Sequence, residues 1–308
     1  MTDVTKTAAP PTPFRGVLYM LAAMAILPFL DVVAKYLGQM GLPILMIVWA
    51  RMAFGALAML PVMLATSAPA ALWPDRPWWH ALRASLLVLA TFLFFFALKT
   101  MAIADALAIF FVQPLVVTAL SPLVLGERVG PRRWAAVGVG FLGTLIILRP
   151  GFGVFGPGAV YALGAGLSLG GYMLVTRAMK GRTPPAVTMF YTSLMGAIGT
   201  SAAVVFVWQS PTWGEFGLML LVGLIASTGH LLITRAYELA EAPLLAPLAY
   251  TEMIMATVVG WAFFGDFPDG WTLLGVAILI GSALYISTRE RGIKVVGPEG
   301  LEPPTKAL

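Results

Sequence analysis

The chain has 308 residues, 59% of them hydrophobic and only 11% charged, with a net charge of +5. Soluble domains carry about 25% charged residues, so this composition excludes a soluble protein, and no polar stretch is long enough to form a soluble domain. The basic residues sit between apolar runs, which reads as membrane orientation and not as nucleic-acid binding. The chain has no cysteine, which excludes disulfides, thiolate metal sites and cysteine nucleophiles.

Crossing the hydrocarbon takes about 20 apolar residues. Ten segments qualify: 14–36, 43–66, 80–99, 103–125, 131–149, 157–178, 184–208, 214–236, 240–264 and 270–288. The Pro-rich residues 1–13 and the polar residues 289–308 read as disordered tails. Span one is too long for a signal-peptide core. It carries Pro28, then Asp31 near its outer end, and Lys35 is expected to snorkel to the interface. In span two, Arg51 lies about 12 Å past Pro43 at 1.5 Å per residue. A short connection makes these helices neighbours, so Asp31 and Arg51 are expected to form an ion pair, either an outer gate or a brace of the first hairpin.

Span three holds "TFLFFF", in which Thr91 and Phe95 share a face. Such aromatics stack on a planar solute or pack against lipid. Gln113 in span four shares its face with Phe110 and is followed by Pro114. In span six, Ser168, Tyr172 and Thr176 form one polar stripe among glycines that allow close helix approach. Span eight holds His230, which either bonds another helix or serves as a proton site. Span nine holds Glu252, about 14 Å past Pro243 and so near the midplane, with Pro247 one turn before it and Met255 on its face. A charge at the bilayer centre costs about 2.5–3.5 kcal/mol. Glu252 is expected to hold a cation or a proton in a transport cavity; the alternative is that it bonds a neighbouring helix and glues the bundle. Pro28, Pro114 and Pro247 each remove a helical hydrogen bond and are expected to hinge their spans.

With the N-terminus inside, only Lys35, Lys99 and Arg149 among the 19 basic residues fall on the outer side; Arg51 lies within a span and the other 15 are inside. This places both termini in the cytoplasm. A shift of 139 residues superposes Gln113 on Glu252 and Gly126–Glu127 on Gly265–Asp266. Five spans per unit is an odd number, so the second unit would enter from the opposite side, as an inverted repeat. No Walker A sequence, ion-selectivity filter, metal-ligand cluster or cofactor loop is present.

Two stretches resemble the ends of EamA units: "PLVVTALSPLVLGERVGPRRWAAVGVGFLGTLIIL" and "GHLLITRAYELAEAPLLAPLAYTEMIMATVVGWAFFGDFPDGWTLLGVAILIGSALY". The chain is thereby similar to drug/metabolite transporters with two EamA domains, at 14–149 and 157–288. Asp266 stands where glutamate is more usual. The resemblance implies an all-α integral membrane fold in which ten helices, as two inverted five-helix repeats, surround a central cavity. Helices three, four, eight and nine, with one and six, would line it, and five and ten would lie at the periphery.

The expected function is ATP-independent secondary transport by alternating access across a bacterial cytoplasmic membrane. The cargo is a small organic metabolite, with an amino acid or an aromatic or amine solute favoured over a riboflavin-like or S-adenosylmethionine-like one. Glu252, Gln113, Tyr172, His230, Phe95, Ser168, Phe110 and Met255 would line the site. Protons are a candidate coupling ion and membrane lipids the surroundings; no nucleic acid, metal or cofactor is expected. A membrane-embedded enzyme using Glu252 and His230, and a non-transporting structural partner, are the rival classes. Neither has a supporting motif.

Overall fold

The computed structural model describes residues 13–69, 72–74, 76–126, 129–149, 156–179 and 182–293. Both expected tails, except for their helical edges, and Glu127 lie outside these residues. Hydrocarbon offers the backbone no hydrogen bonds, so apolar spans fold as helices. The described residues form α1 (Pro13–Gln39), α2 (Ile44–Thr66), α3 (Pro77–Leu98), α4 (Ile103–Phe110), α5 (Gln113–Leu125), α6 (Pro131–Leu148), α7 (Pro157–Ala178), α8 (Pro185–Val204), α9 (Trp213–Leu239), α10 (Ala242–Leu245), α11 (Thr251–Phe264) and α12 (Gly270–Ile293). These make ten spans, because α4 with α5 forms the fourth and α10 with α11 the ninth. Seven spans are long and apolar enough to cross on their own; shorter apolar helices at 134–148, 248–264 and 270–282 complete the set.

Spans four and nine break at matching places. Two turn residues separate α4 from α5, and a turn of 3-10 helix, Ala246–Tyr250, separates α10 from α11. Pro114 has no N–H to offer the Phe110 carbonyl, and Pro247 none for that of Pro243. Gln113 therefore opens α5, and Glu252 is the second residue of α11. The half-helices also end alike, at Gly126 and Gly265, whose φ values of 68° and 71° are left-handed and suit glycine. Pro28, by contrast, lies within an unbroken α1.

The most extensive packing is all between repeats: α1 on α9, α3 on α7, α2 on α8, and α6 on α12. Exchanging the halves converts the first pair into the second and leaves the other two unchanged, as a pseudo-two-fold axis requires. Residue contacts repeat this at the 139-residue shift. Gly143 meets Gly275 so closely that a Cβ on either would strike the other's carbonyl oxygen, at 2.9 and 2.7 Å. The positions equivalent to this pair are Ser282 and Ala136, and Ser282 Oγ donates to the Ala136 carbonyl at 2.6 Å. Small residues allow this approach in a medium that provides little hydrophobic drive.

Span boundaries differ from the expected ones by three residues or more at five helices, spans three and seven among them. Span seven stops at Val204 and not 208, where the chain turns toward a capping box in which Thr212 and Glu215 bond each other's backbone N–H at the start of α9. Span three starts at Pro77, and this draws Arg83 into the bundle.

At the end of the bundle where α6 finishes, Asp269 accepts from the Thr272 N–H at 2.8 Å, capping α12, and pairs with Arg149 at 2.6 Å. These contacts, the Thr272 N–H first, hold its carboxyl below the usual carboxylate range. A depressed folded value means that the cap contributes fully above the ordinary value near 4 and is lost as pH falls through the folded one. Asp269→Ala is thus expected to destabilise the protein by about 1 kcal/mol at pH 7. In thermal unfolding its deficit should shrink below about pH 4; a deficit independent of pH would contradict the capping role.

Candidate substrate site

The central half of the bundle holds four ionisable side chains from four helices: Asp31 on α1, Arg51 on α2, His230 on α9 and Glu252 on α11. Arg51 and His230 touch, with Nη2 3.4 Å from Nε2. A guanidinium only donates, so Nε2 must accept, and the His230 proton sits on Nδ1. Arg51 Nη1 also donates to the Thr91 hydroxyl on α3. Asp31 lies within electrostatic reach of both Arg51 and Glu252. Glu252, Arg51 and His230 are surrounded by protein yet only half-buried. Their accessible surface therefore faces space inside the bundle.

The expected Asp31–Arg51 ion pair does not form. Asp31 is 6% exposed, and no carboxylate of the described residues comes within 4.0 Å of Arg51. The two helices are sequence neighbours but touch little, since α1 packs on α9 and α2 on α8. Each therefore turns its polar residue toward the other repeat. Arg51 is held by neutral acceptors instead. Neither Asp31 nor Glu252 receives a hydrogen bond from the described residues, and Glu252 is the more accessible of the two.

Arg83 is the site residue that sequence reasoning missed. Counted on the inner side although it falls within span three, it is 5% exposed inside α3. Its Nε donates to Thr176 Oγ1 at 2.7 Å, its Nη1 to the Thr188 carbonyl at 3.1 Å and Thr192 Oγ1 at 2.6 Å, and its Nη2 to Tyr172 OH at 2.6 Å. The guanidinium also lies 4.6 Å from the Tyr172 ring centroid. It ties α3 to α7 and α8 and fixes Tyr172, which is within electrostatic reach of Arg51. A signal was present: Trp78 and Trp79 mark a membrane interface, so the polar residue after them belongs inside.

The remaining expected residues divide. Gln113 is buried, and its side-chain oxygen has no partner. Ser168 donates to its own helix at Gly164 O. Phe110 ends α4 with its ring 4.7 Å from that of Phe94, and Met255 packs half-buried on the core. Phe95 is 2% exposed within the apolar core, so it is enclosed and does not line a wall. Lys35 does not snorkel. It is 8% exposed, pairs with Asp266 at 2.8 Å, donates to the Met101 carbonyl at 2.9 Å and sits 4.6 Å above the Phe264 ring. At the opposite end, a cleft of about 140 Å³ opens between α2, α8 and α9, lined in part by Thr66, Met189, Thr234 and Glu238.

A family model described as the EamA-like transporter family matches residues 14–149 and again 156–288. The chain belongs to this family. In sequence, Gly126–Glu127 and Gly265–Asp266 belong to the stretches that carry the resemblance. A riboflavin transporter of Rhizobium johnstonii is 30% identical over 295 residues, covering 94% of this chain and 97% of the relative. An S-adenosylmethionine uptake transporter of Rickettsia prowazekii is 25% identical over 291 residues, covering 94% and 97%. A pseudopaline exporter of Pseudomonas aeruginosa is 26% identical over 204 residues, covering 65% and 71%. A crystal structure superposes with a TM-score of 0.64 at 20% identity, covering 91% of this chain and 98% of its own, which is a likeness of fold. In this bundle helix two brings Arg51 beside Thr91 and His230, a helix that the resemblance does not include in the lining.

Proposed function

We propose that this protein is a multi-pass secondary transporter of the cytoplasmic membrane that carries a small organic metabolite by alternating access, without ATP. The observation that carries this reading is the pair of unpartnered carboxylates at the junction of the two repeats, Glu252 half-buried and Asp31 buried within its electrostatic reach. An ionisable group in a bilayer marks a pathway more often than it serves as glue. Glu252, Gln113, Tyr172, His230, Phe110, Ser168 and Met255 contribute to the cargo's surroundings, with Pro114 and Pro247 at the helix breaks. The full-length relatives, named for riboflavin and S-adenosylmethionine, favour a vitamin- or nucleoside-type cargo over the free amino acid expected first. Both termini are assigned to the cytoplasm; removing Arg83 from the loop residues leaves the inner excess of basic residues intact.

Purified full-length protein in liposomes tests this. Flux of riboflavin or S-adenosylmethionine down its gradient, with no nucleotide present, is the expected result. Flux of free amino acids with neither of these would overturn the cargo class, and no flux of any of these solutes would overturn transport.

A further inference from the structure

The central charges are arranged unusually. A guanidinium has five N–H donors, and Arg51 uses one on Thr91 and one on His230. Both acceptors are neutral. The other three have no partner among the described residues, and Nε, which makes no hydrogen bond, is not a sealed atom. Arg83, by contrast, has four donors filled by hydroxyls and a carbonyl. In the same central half of the bundle stand Asp31 and Glu252, without hydrogen-bond donors. The interior thus presents a guanidinium with unfilled donors and two carboxylates without hydrogen bonds, and these do not neutralise one another directly. A guanidinium held by neutral acceptors, with donors to spare, is suited to capture of a carboxylate or a similar planar anion. The opposing carboxylates suit a cationic group.

We infer that the transported solute is a zwitterion, with an anionic group held by Arg51 and a cationic group by Asp31 and Glu252. This rests on the transport reading above and narrows it. It makes Arg51 a specificity-determining residue and not one half of a structural pair. His230 and Thr91 act as positioning residues that aim the fork.

The experiment compares solutes that differ only in a carboxylate, using full-length protein in liposomes: S-adenosylmethionine against its decarboxylated form, and tryptophan against tryptamine, with uncharged riboflavin alongside. In at least one pair the carboxylate-bearing member should move faster by about tenfold or more, because a site built to bond a group rejects the analogue lacking it. Arg51→Gln should erase that preference; Arg51→Lys, which keeps the charge but loses the fork, should retain part of it. Flux of riboflavin alone, equal flux of both members of a pair, faster flux of the decarboxylated member, or a preference unchanged in Arg51→Gln would each overturn the zwitterion inference and leave the transport reading standing. No flux of any probe would overturn both. If Arg51→Gln does not yield folded protein, the wild-type pairs and Arg51→Lys decide.

Discussion

Glu252→Gln is expected to lower flux by about one to two orders of magnitude, the equivalent of losing one hydrogen bond to a charged group at about 1.5–3 kcal/mol. The change is nearly isosteric, and Glu252 receives no hydrogen bond from the described residues, so folding should survive. A monodisperse variant with wild-type thermal unfolding and impaired flux fits the site. Wild-type flux across the pH range would remove Glu252 from it. The same preparation separates two roles: a proton held at Glu252 makes the wild-type rate follow an imposed pH gradient, whereas a solute cation held there does not. Severe misfolding of the Gln variant would return Glu252 to the glue reading.

Asp266→Asn should destabilise the protein more than Lys35→Met, by about 3 kcal/mol against a smaller loss. The asymmetry comes from burial. Lys35 is 8% exposed and Asp266 35%. Removing the acid strands a buried ammonium on one carbonyl and one aromatic face, whereas removing the lysine leaves a carboxylate that water can reach. A thermal-unfolding double-mutant cycle measures this, with a coupling energy of about 1 kcal/mol or more expected between contacting charges. Equal losses, or none, would reduce the pair to an ordinary exposed ion pair. The pair also accounts for the acid in the second repeat motif: Asp266 bonds helix one from beside the left-handed glycine, tying the second repeat to the first.

The sequence by itself determined the solvent, the span count and the repeat. Each follows from local composition: apolar length counts helices, Pro114 and Pro247, though not Pro28, mark the breaks, and an odd number of spans inverts the second half. Glu252 was legible for the same reason, since a carboxylate far from both ends of an apolar segment has no interface to reach. Tertiary structure alone decided partners. Asp31 and Arg51 looked like a pair because sequence neighbours were taken for spatial ones, but in a bilayer apolar helices gain little from packing on any particular neighbour, and here small residues and polar contacts join each helix to one from the other repeat. Lys35, Arg83 and Phe95 were misplaced because a helical sequence states which residues share a face but not which way that face turns. That rotation is set by the inter-repeat packing of α1 on α9, α3 on α7 and α2 on α8, and it is what leaves Arg51, Asp31 and Glu252 facing one interior.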